Sequence, residues 1–347
     1  MKKLRIRVTK EIHTLFNMRF VEDISMYQIR TDLALETQEK MQQDHVDLKG
    51  VRFLEEKIGN QLVISTVVIE TENGAKTMGK PKGTYITIEA GNMDEEDEDY
   101  HREISVQLAK TIKSLIRCKK EELSVLIVGL GNREVTPDAL GPRVVDNLFI
   151  TRHIVREYGK YAFGTDKMNR ISSIVPGVMA QTGMESLEIV KAVVDETKPD
   201  LVVVVDALAA RSTRRLNRTI QVTDTGINPG SGVGNHRHGL NQKSLSVPVI
   251  SIGIPTVVDA ATIVNDTMYN LIRAMSESKT LTGLGNSLGE LNEAEKYELI
   301  RELLSPNLNA MFVTPKDIDE SVKRLSFTIS EGLNLAFAGE RFCNSPA

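Results

Sequence analysis

The sequence predicts an α/β fold in which a doubly wound, mainly parallel sheet carries helices on both faces. Short continuous apolar runs recur after residue 122, helical patterns separate them, and alternating β-branched runs come earlier. Continuous apolar strands are typical of parallel sheets that are buried on both faces. We therefore expect an α/β core at about 122–275, an N-terminal β-rich part before it, and C-terminal helices at 290–340.

The segment ahead of the core predicts antiparallel strands at 50–56, 61–70 and 84–89, where alternating, β-branched residues are frequent. An acidic run follows, "NMDEEDEDYHRE", whose carboxylates have no spacing that suits metal coordination. We interpret it as a solvated loop or the start of a helix. Helical spacing continues at 103–117.

The core predicts four buried strands separated by helices. The strands are "LSVLIVG", "ISSIVPGV", "LVVVVDAL" and "VPVISIGIP". The helices are expected near 142–156, 183–196 and 257–275, and in the C-terminal part near 291–304, 315–322 and 325–338. Pro142 suits the first position of a helix, and Thr182 with Glu185 forms a capping-box pattern.

Composition narrows the function classes. The formal net charge is -4, so we expect no direct nucleic-acid binding. No apolar run has the length of a membrane span, and two cysteines without metal-ligand spacing favour a reducing, cytoplasmic setting. The first twenty residues are basic and lack the features of a secretory signal. We interpret them as an N-terminal extension; a membrane-surface helix is the alternative.

The stretch "VGLGNREVTPDALGP", at 128–142, contains three glycines after an apolar strand. A dinucleotide fingerprint would need a third glycine where Glu134 stands, and a phosphate loop would need Gly-Lys-Ser/Thr. The loop therefore presents Asp138 rather than a phosphate site. A second glycine-rich loop, at 228–239, also lacks these motifs. Its His236 and His238 are candidates for a base or metal ligands, but simple solvation is the favoured interpretation.

Two aspartates follow predicted strands. Asp206 terminates "LVVVVD", and Asp138 lies in the loop that leaves "LSVLIVG". Ligand sites in open α/β sheets lie beyond the carboxyl ends of the strands, where the two carboxylates can meet. A close carboxyl pair supplies one acid and one base, which suits attack of water on an amide. The alternative is that Asp206 caps a following turn.

The quoted motifs extend over most of the chain. They are "RTDLALE", "VGLGNREVTPDALGPRVVDNLFITRH", "SIVPGVMAQTG", "DALAARS", "NPGSGVGN", "IGIPTVVDA" and "VTPK". In these motifs the sequence resembles the germination protease family of spore-forming bacteria. The family fold is similar to that of the hydrogenase maturation proteases, which use acidic residues and a histidine to hold nickel. A histidine that could serve as this third ligand is not recognisable here.

The resemblance implies a homotetrameric endopeptidase of the forespore and spore core, with small acid-soluble spore proteins as substrates during germination. The family's essential aspartates fall on Asp138 and Asp206, in an aspartic-type mechanism, and we expect neither cofactor nor metal. One alternative is a metal-dependent, maturation-like peptidase with the same carboxylates as ligands. Another is a non-catalytic α/β binding protein that uses the glycine-rich loops.

The resemblance also implies a zymogen that cleaves itself. The family's substrates are cut after an acidic residue and before a large apolar one followed by Ala, and "TDLALE" has that order. We predict the cut between Asp32 and Leu33, in a mobile stretch, with 1–32 as N-terminal extension and pro-segment and 33–347 as peptidase domain. Alternatively, Asp32 is the N-cap of a helix. Residues 1–26 extend beyond the family's usual start, so we expect the initiator nearer Met18 or Met26.

Overall fold

The computed structural model describes a defined part of the chain, namely residues 31–43, 46, 48–59, 61–91, 93, 97–230, 238–278, 280–282 and 311–338. These residues belong to two compact units. One unit runs from Thr31 to Val258 and resumes at Val313, and the other begins at Asp259. The helix predicted near 291–304 and most of the predicted pro-segment lie outside the described residues.

The strands and helices follow in chain order. The strands are β1 (Val51–Ile58), β2 (Leu62–Ile69), β3 (Gly83–Ala90), β4 (Ser124–Gly129), β5 (Arg170–Ile174), β6 (Leu201–Ala210), β7 (Thr219–Thr223), β8 (Val249–Asp259) and β9 (Phe312–Val313). The helices are α1 (Ala34–Gln43), α2 (Glu72–Met78), α3 (Glu98–Leu115), α4 (Leu140–Asp146), α5 (Arg152–Tyr158), α6 (Met179–Thr182), α7 (Ser186–Thr197), α8 (Gln242–Leu245), α9 (Ala260–Glu277) and α10 (Ile318–Phe337). Short 3-10 turns lie at Thr136–Asp138, Lys160–Phe163 and Thr213–Arg215.

One mixed sheet organises the larger unit, in the order β1-β2-β3-β7-β8-β6-β4-β5. The pairs from β8 through β6 and β4 to β5 are parallel, whereas β1, β2, β3 and β7 pair antiparallel and continue the same sheet up to β8. The predicted α/β fold is confirmed. The sequence prediction missed β7, "TIQVT", which joins the N-terminal strands to the parallel ones.

The sheet buries apolar side chains on both faces because helices cover each of them. On one face, α3 and α10 pack on strand residues such as Ile88, Ile220 and Ile252. On the other face, α7 and α8 cover the parallel part, around Val202 and Val204. Residues of α1 and α2 join the apolar cluster of β2 and β3. The alternation of the antiparallel strands and the continuous runs of the parallel ones arise from this layering.

Several predicted boundaries near the ends of the helices were wrong. The helix predicted at 142–156 is two helices, α4 and α5, and Pro142 is the third residue of α4 rather than the first. Glu185, not Thr182, caps α7, because its side chain and that of Glu188 form the reciprocal capping box. The acidic run does start a helix, since Asp97 caps α3 by accepting a hydrogen bond from Tyr100 N at 3.0 Å.

The two helices predicted in the C-terminal part are one continuous helix, α10. The buried positions of this helix continue through the gap that was predicted at 323–324. They are Ile318, Val322, Leu325, Ile329 and Leu333, which repeat every three or four residues along one face. Similarly, β8 extends to Asp259, so that α9 begins three residues later than predicted. None of the helices in the described ranges is long and apolar enough to cross a membrane.

Candidate active site

The loop after β4 carries Asp138 at the end of a 3-10 turn. β4 ends at Gly129. Pro137 is the second residue of the turn Thr136–Asp138, where a missing N–H is tolerated. The Asp138 carboxylate accepts a hydrogen bond from Asn132 N at 2.7 Å. The loop thus folds back on itself, and Asp138 stands half-buried at its end.

The glycines of this loop are explained by backbone packing. Gly131 has a φ of +116°, and a Cβ atom at this position would lie 1.9 Å from the Asp138 carbonyl oxygen. A Cβ atom at Gly141 would lie 2.3 Å from the Leu130 carbonyl oxygen. Only a residue without a side chain permits such approaches. The glycines therefore allow Asp138 to pack back against the end of β4.

We predict that Gly131→Ala destabilises the protein by at least roughly 2 kcal/mol more than a matched glycine substitution. The control is Gly159→Ala, because Gly159 also has a positive φ, of 73°, but has nothing within 4 Å of its added Cβ. That control is expected to cost about 1–3 kcal/mol, the backbone strain alone, because Gly159 combines its positive φ with a ψ of 170°. Denaturant unfolding measures both variants. Equal losses would show that the approach of Gly131 to Asp138 is not tight.

Asp206 lies inside β6, not at its end as predicted. The strand continues to Ala210 because its last residues still pair with β8, through a register shift between Leu208 and Ala209. The alternative that Asp206 caps a turn is therefore wrong as well. The neighbouring β4 ends opposite Val205, so Asp206 is the first residue of β6 beyond that end. Asp206 is 6% exposed, and its carboxylate accepts a hydrogen bond from Ala207 N at 2.9 Å.

The two aspartates occupy adjacent elements. The 3-10 turn that ends at Asp138 contacts β6. The Pro137 carbonyl accepts a hydrogen bond from Thr256 Oγ1 of β8 at 2.7 Å, and β8 and β4 lie on opposite sides of β6. The loop therefore leaves β4, passes across the carboxyl-terminal part of β6 and is fastened to β8. A direct pairing of the Asp138 and Asp206 carboxylates stays a prediction.

The segment at Asp32–Leu33 is docked on the sheet, which corrects the expectation of a mobile stretch. Asp32 N donates to the Ala209 carbonyl at 3.1 Å, and the Asp32 carboxylate accepts from Ala209 N at 2.9 Å. Leu33 and Ala34 are 0% exposed. The apolar residues after Asp32 hold the segment in place, because their burial against the sheet outweighs the mobility expected of a polar flanking sequence.

The carbonyl of Asp32, which belongs to the Asp32–Leu33 peptide bond, accepts two side-chain hydrogen bonds. Lys80 Nζ donates at 3.0 Å and Gln221 Nε2 donates at 3.1 Å. Gln221 Oε1 in turn accepts from Ala34 N at 2.7 Å. Sequence reasoning missed Lys80 and Gln221, since these residues are far from Asp32 in the chain and belong to no local motif.

Glu36 of α1 anchors the same segment at its other end. Its carboxylate accepts hydrogen bonds from Arg211 N at 2.8 Å and Ser212 N at 2.9 Å, just after β6. It also accepts a hydrogen bond from Thr31 Oγ1. Glu36 is 3% exposed, so these bonds offset the cost of burying its charge. The "DLALE" stretch does begin a helix, although Asp32 uses its carboxylate on β6.

The histidines of the second glycine-rich loop contribute no assembled site in the described part of the chain. His236 lies outside the described residues. The His238 ring lies 2.7 Å from Glu185, at the start of α7, and is exposed. Among the residues that the structure describes, no group of three or more His, Cys, Asp and Glu side chains could hold a metal ion.

The sequence profile of a family described as Germination protease matches residues 29–281 and 274–341. The match covers Asp138, Asp206 and the docked segment at Asp32–Leu33. The chain belongs to the germination protease family. It is accordingly a peptidase.

Relatives in the germination protease family align with nearly the whole chain. The germination protease of Caldanaerobacter subterraneus subsp. tengcongensis is 49% identical over 89% of this chain and 94% of its own length. That of Clostridium perfringens is 42% identical over 90% and 95%, respectively, and that of Bacillus subtilis is 39% identical over 90% and 94%. A [NiFe] hydrogenase maturation protease, HycI from Thermococcus kodakarensis KOD1, aligns with 65% of this chain and 99% of its own, with a TM-score of 0.30 and 17% identity. These values are too low to define a shared fold.

Proposed function

We propose that this germination protease is an aspartic-type endopeptidase in which Asp138 and Asp206 form the acid–base pair. The observation that supports the proposal is the loop that carries Asp138, because it contacts β6, the strand of Asp206, and is hydrogen-bonded to β8. Family membership identifies a peptidase, and these two aspartates lie beyond the end of β4, where α/β sheets hold their sites.

The chemistry follows from two carboxyl groups in one crevice. Two neighbouring carboxylates do not readily ionise together, so one is protonated and the other charged. The charged group takes a proton from water as the water attacks the peptide carbonyl. The protonated group then donates its proton to the leaving amine as the C–N bond breaks. Both proton transfers are completed by this chain's own side chains.

We further propose that the substrates are small acid-soluble spore proteins and that the enzyme acts as a homotetramer in the spore core. The name of the relatives, germination protease, supports a role at germination. The docked segment at Asp32–Leu33 supports a zymogen that is cut there, because this chain holds its own acidic-Leu-Ala sequence on the strand of Asp206.

The purified full chain tests the proposed function on a small acid-soluble spore protein. We expect endoproteolytic cleavage that continues in excess chelator, because the acid and the base are both carboxyl groups. Mass spectrometry of the fragments identifies the bonds cut. Activity that chelation abolishes and that one added metal restores would instead favour the metal-dependent peptidase, and a substrate that stays intact would favour a binding protein.

A further inference from the structure

We infer that Lys80 and Gln221 are catalytic residues for self-cleavage, because they hold the carbonyl oxygen of the Asp32–Leu33 bond as an oxyanion-binding pair. The inference rests on the proposed function, since it assigns groups to the proposed cut. The two donors lie 3.0 and 3.1 Å from that oxygen. Backbone and side-chain donors at such distances are the usual means of stabilising the charge that a carbonyl oxygen gains during hydrolysis.

Gln221 is fixed in the orientation that this role needs. Its Oε1 atom accepts a hydrogen bond from Ala34 N at 2.7 Å, so its amide group spans the Asp32–Leu33–Ala34 stretch. Gln221 is 6% exposed, and its neighbours are the buried strands β3 and β8. An amide held at both ends does not need to reorganise when charge develops on the carbonyl oxygen.

Lys80 brings a positive charge to the same oxygen. The residue as a whole is half-buried, and burial lowers the pKa of its ammonium group, an effect that the charges of Asp32 and Glu36 oppose. Nζ also lies 3.5 Å from the Thr31 carbonyl. A desolvated ammonium group interacts more strongly with a developing oxyanion than an exposed one does.

Gln221 lies on the same face of the sheet as Asp206. Asp206 is paired with Gly253, and Gly253 is paired with Gln221, so the three residues form one row across β6, β8 and β7. Directly paired residues point their side chains to the same face. Gly253 has no side chain, and Leu208 lies over it. The Asp32 carbonyl is therefore held by a side chain on the same face as Asp206, and the Asp32 backbone is hydrogen-bonded to β6, the strand of Asp206.

The proposed step is balanced. Water attacks the Asp32 carbonyl carbon and gives its proton to the charged member of the Asp138–Asp206 pair. The carbonyl oxygen becomes an oxyanion that Lys80 and Gln221 stabilise. The bond to Leu33 N then breaks, and Leu33 N takes a proton from the protonated member. The products are a carboxylic acid at Asp32 and an amine at Leu33.

The test compares the rate of self-cleavage in the full chain and in Lys80→Met, Lys80→Arg and Gln221→Glu variants by intact-mass spectrometry, with circular dichroism to verify the fold. Lys80→Met removes the charged donor, and Gln221→Glu removes the amide donor but keeps the acceptor for Ala34 N. We expect each to slow the cut on the order of a hundredfold, as loss of an oxyanion donor does. Lys80→Arg, which restores a charged donor, is expected to recover part of the rate.

The matched control is Lys82→Met. Lys82 is two residues away, has a 47% exposed side chain and pairs with Glu72 at the surface, and its loss is expected to leave the rate unchanged. If Lys80→Met does not fold, Gln221→Glu decides. If a folded Lys80→Met or Gln221→Glu variant is cut at the parent rate or faster, the inference is overturned. A faster cut would show that these residues hold the segment in place and do not assist its cleavage. A parent chain that is never cut at Asp32–Leu33 would overturn the proposed processing itself.

Discussion

Asp138→Asn and Asp206→Asn are each expected to lower proteolysis by roughly a hundredfold to ten-thousandfold while the chain stays folded. An amide retains the shape of the carboxyl group but can neither take up nor supply the proton. The Asn132 N–H that binds the Asp138 carboxylate and the Ala207 N–H that binds the Asp206 carboxylate can still donate to the amide oxygen. The fold is therefore expected to persist.

The measurement is initial rate on a small acid-soluble spore protein, alongside thermal unfolding of each variant. Asp146→Asn is the control, because Asp146 lies in α4, directly after the loop, is 49% exposed in its side chain and pairs with Arg133. It is expected to keep near-parental activity. Near-parental activity in either proposed catalytic variant would contradict the acid–base pair.

Self-cleavage is expected between Asp32 and Leu33, and it is expected to be intramolecular. Leu33 and Ala34 are 0% exposed and the Asp32 backbone is hydrogen-bonded to β6, so a second enzyme molecule cannot reach the bond as docked. The rate constant should therefore be independent of protein concentration. Intact-mass spectrometry across a dilution series measures it, with the new N-terminus at Leu33.

Asp138→Asn provides the second arm of this experiment. The variant alone should remain uncut, because the same crevice is proposed to make the cut. Mixed with active chain, it should also remain uncut if the reaction is intramolecular. A rate that rises with concentration, or cleavage of the variant by its active neighbour, would show that the segment leaves the sheet before it is cut. A new N-terminus elsewhere would refute the predicted bond.

The strands that have a strong apolar pattern were predicted from the sequence. The strand and the strand end that depend on pairing with distant residues were not. Continuous apolar runs define β4 and β8 because each is buried on both faces. β7 escaped prediction because five residues provide too few alternations to be distinguished from a loop. The end of β6 was misplaced, since Asp206 is polar and the strand is continued by partners distant in the chain, namely β8 and Asp32.

The residues of the candidate site also fall into those that the sequence indicated and those that only tertiary contacts reveal. Asp138 was predicted from its glycine-rich loop and from family resemblance, and its catalytic role stays a prediction, whereas the glycines are explained by backbone packing. Lys80 and Gln221 could not be found, because each meets Asp32 through tertiary contacts alone. The sequence also did not predict that Asp32–Leu33 docks on the sheet. The polar residues around Asp32 suggested an exposed segment, whereas its burial depends on a surface of the sheet that is distant in the chain.

Burial of Leu33 makes the proposed cut a source of charge in the protein interior. Hydrolysis converts one neutral peptide bond into a carboxylate and an ammonium group, and Leu33 has 0% exposure where the ammonium would form. An interior that accommodates an amide does not solvate such an ion, so retention of the docked geometry becomes costly once the bond is broken. The chain end is then driven toward water, and religation is disfavoured. The docked segment would thus be stable before cleavage and would leave the sheet after it, which makes the cleavage effectively irreversible.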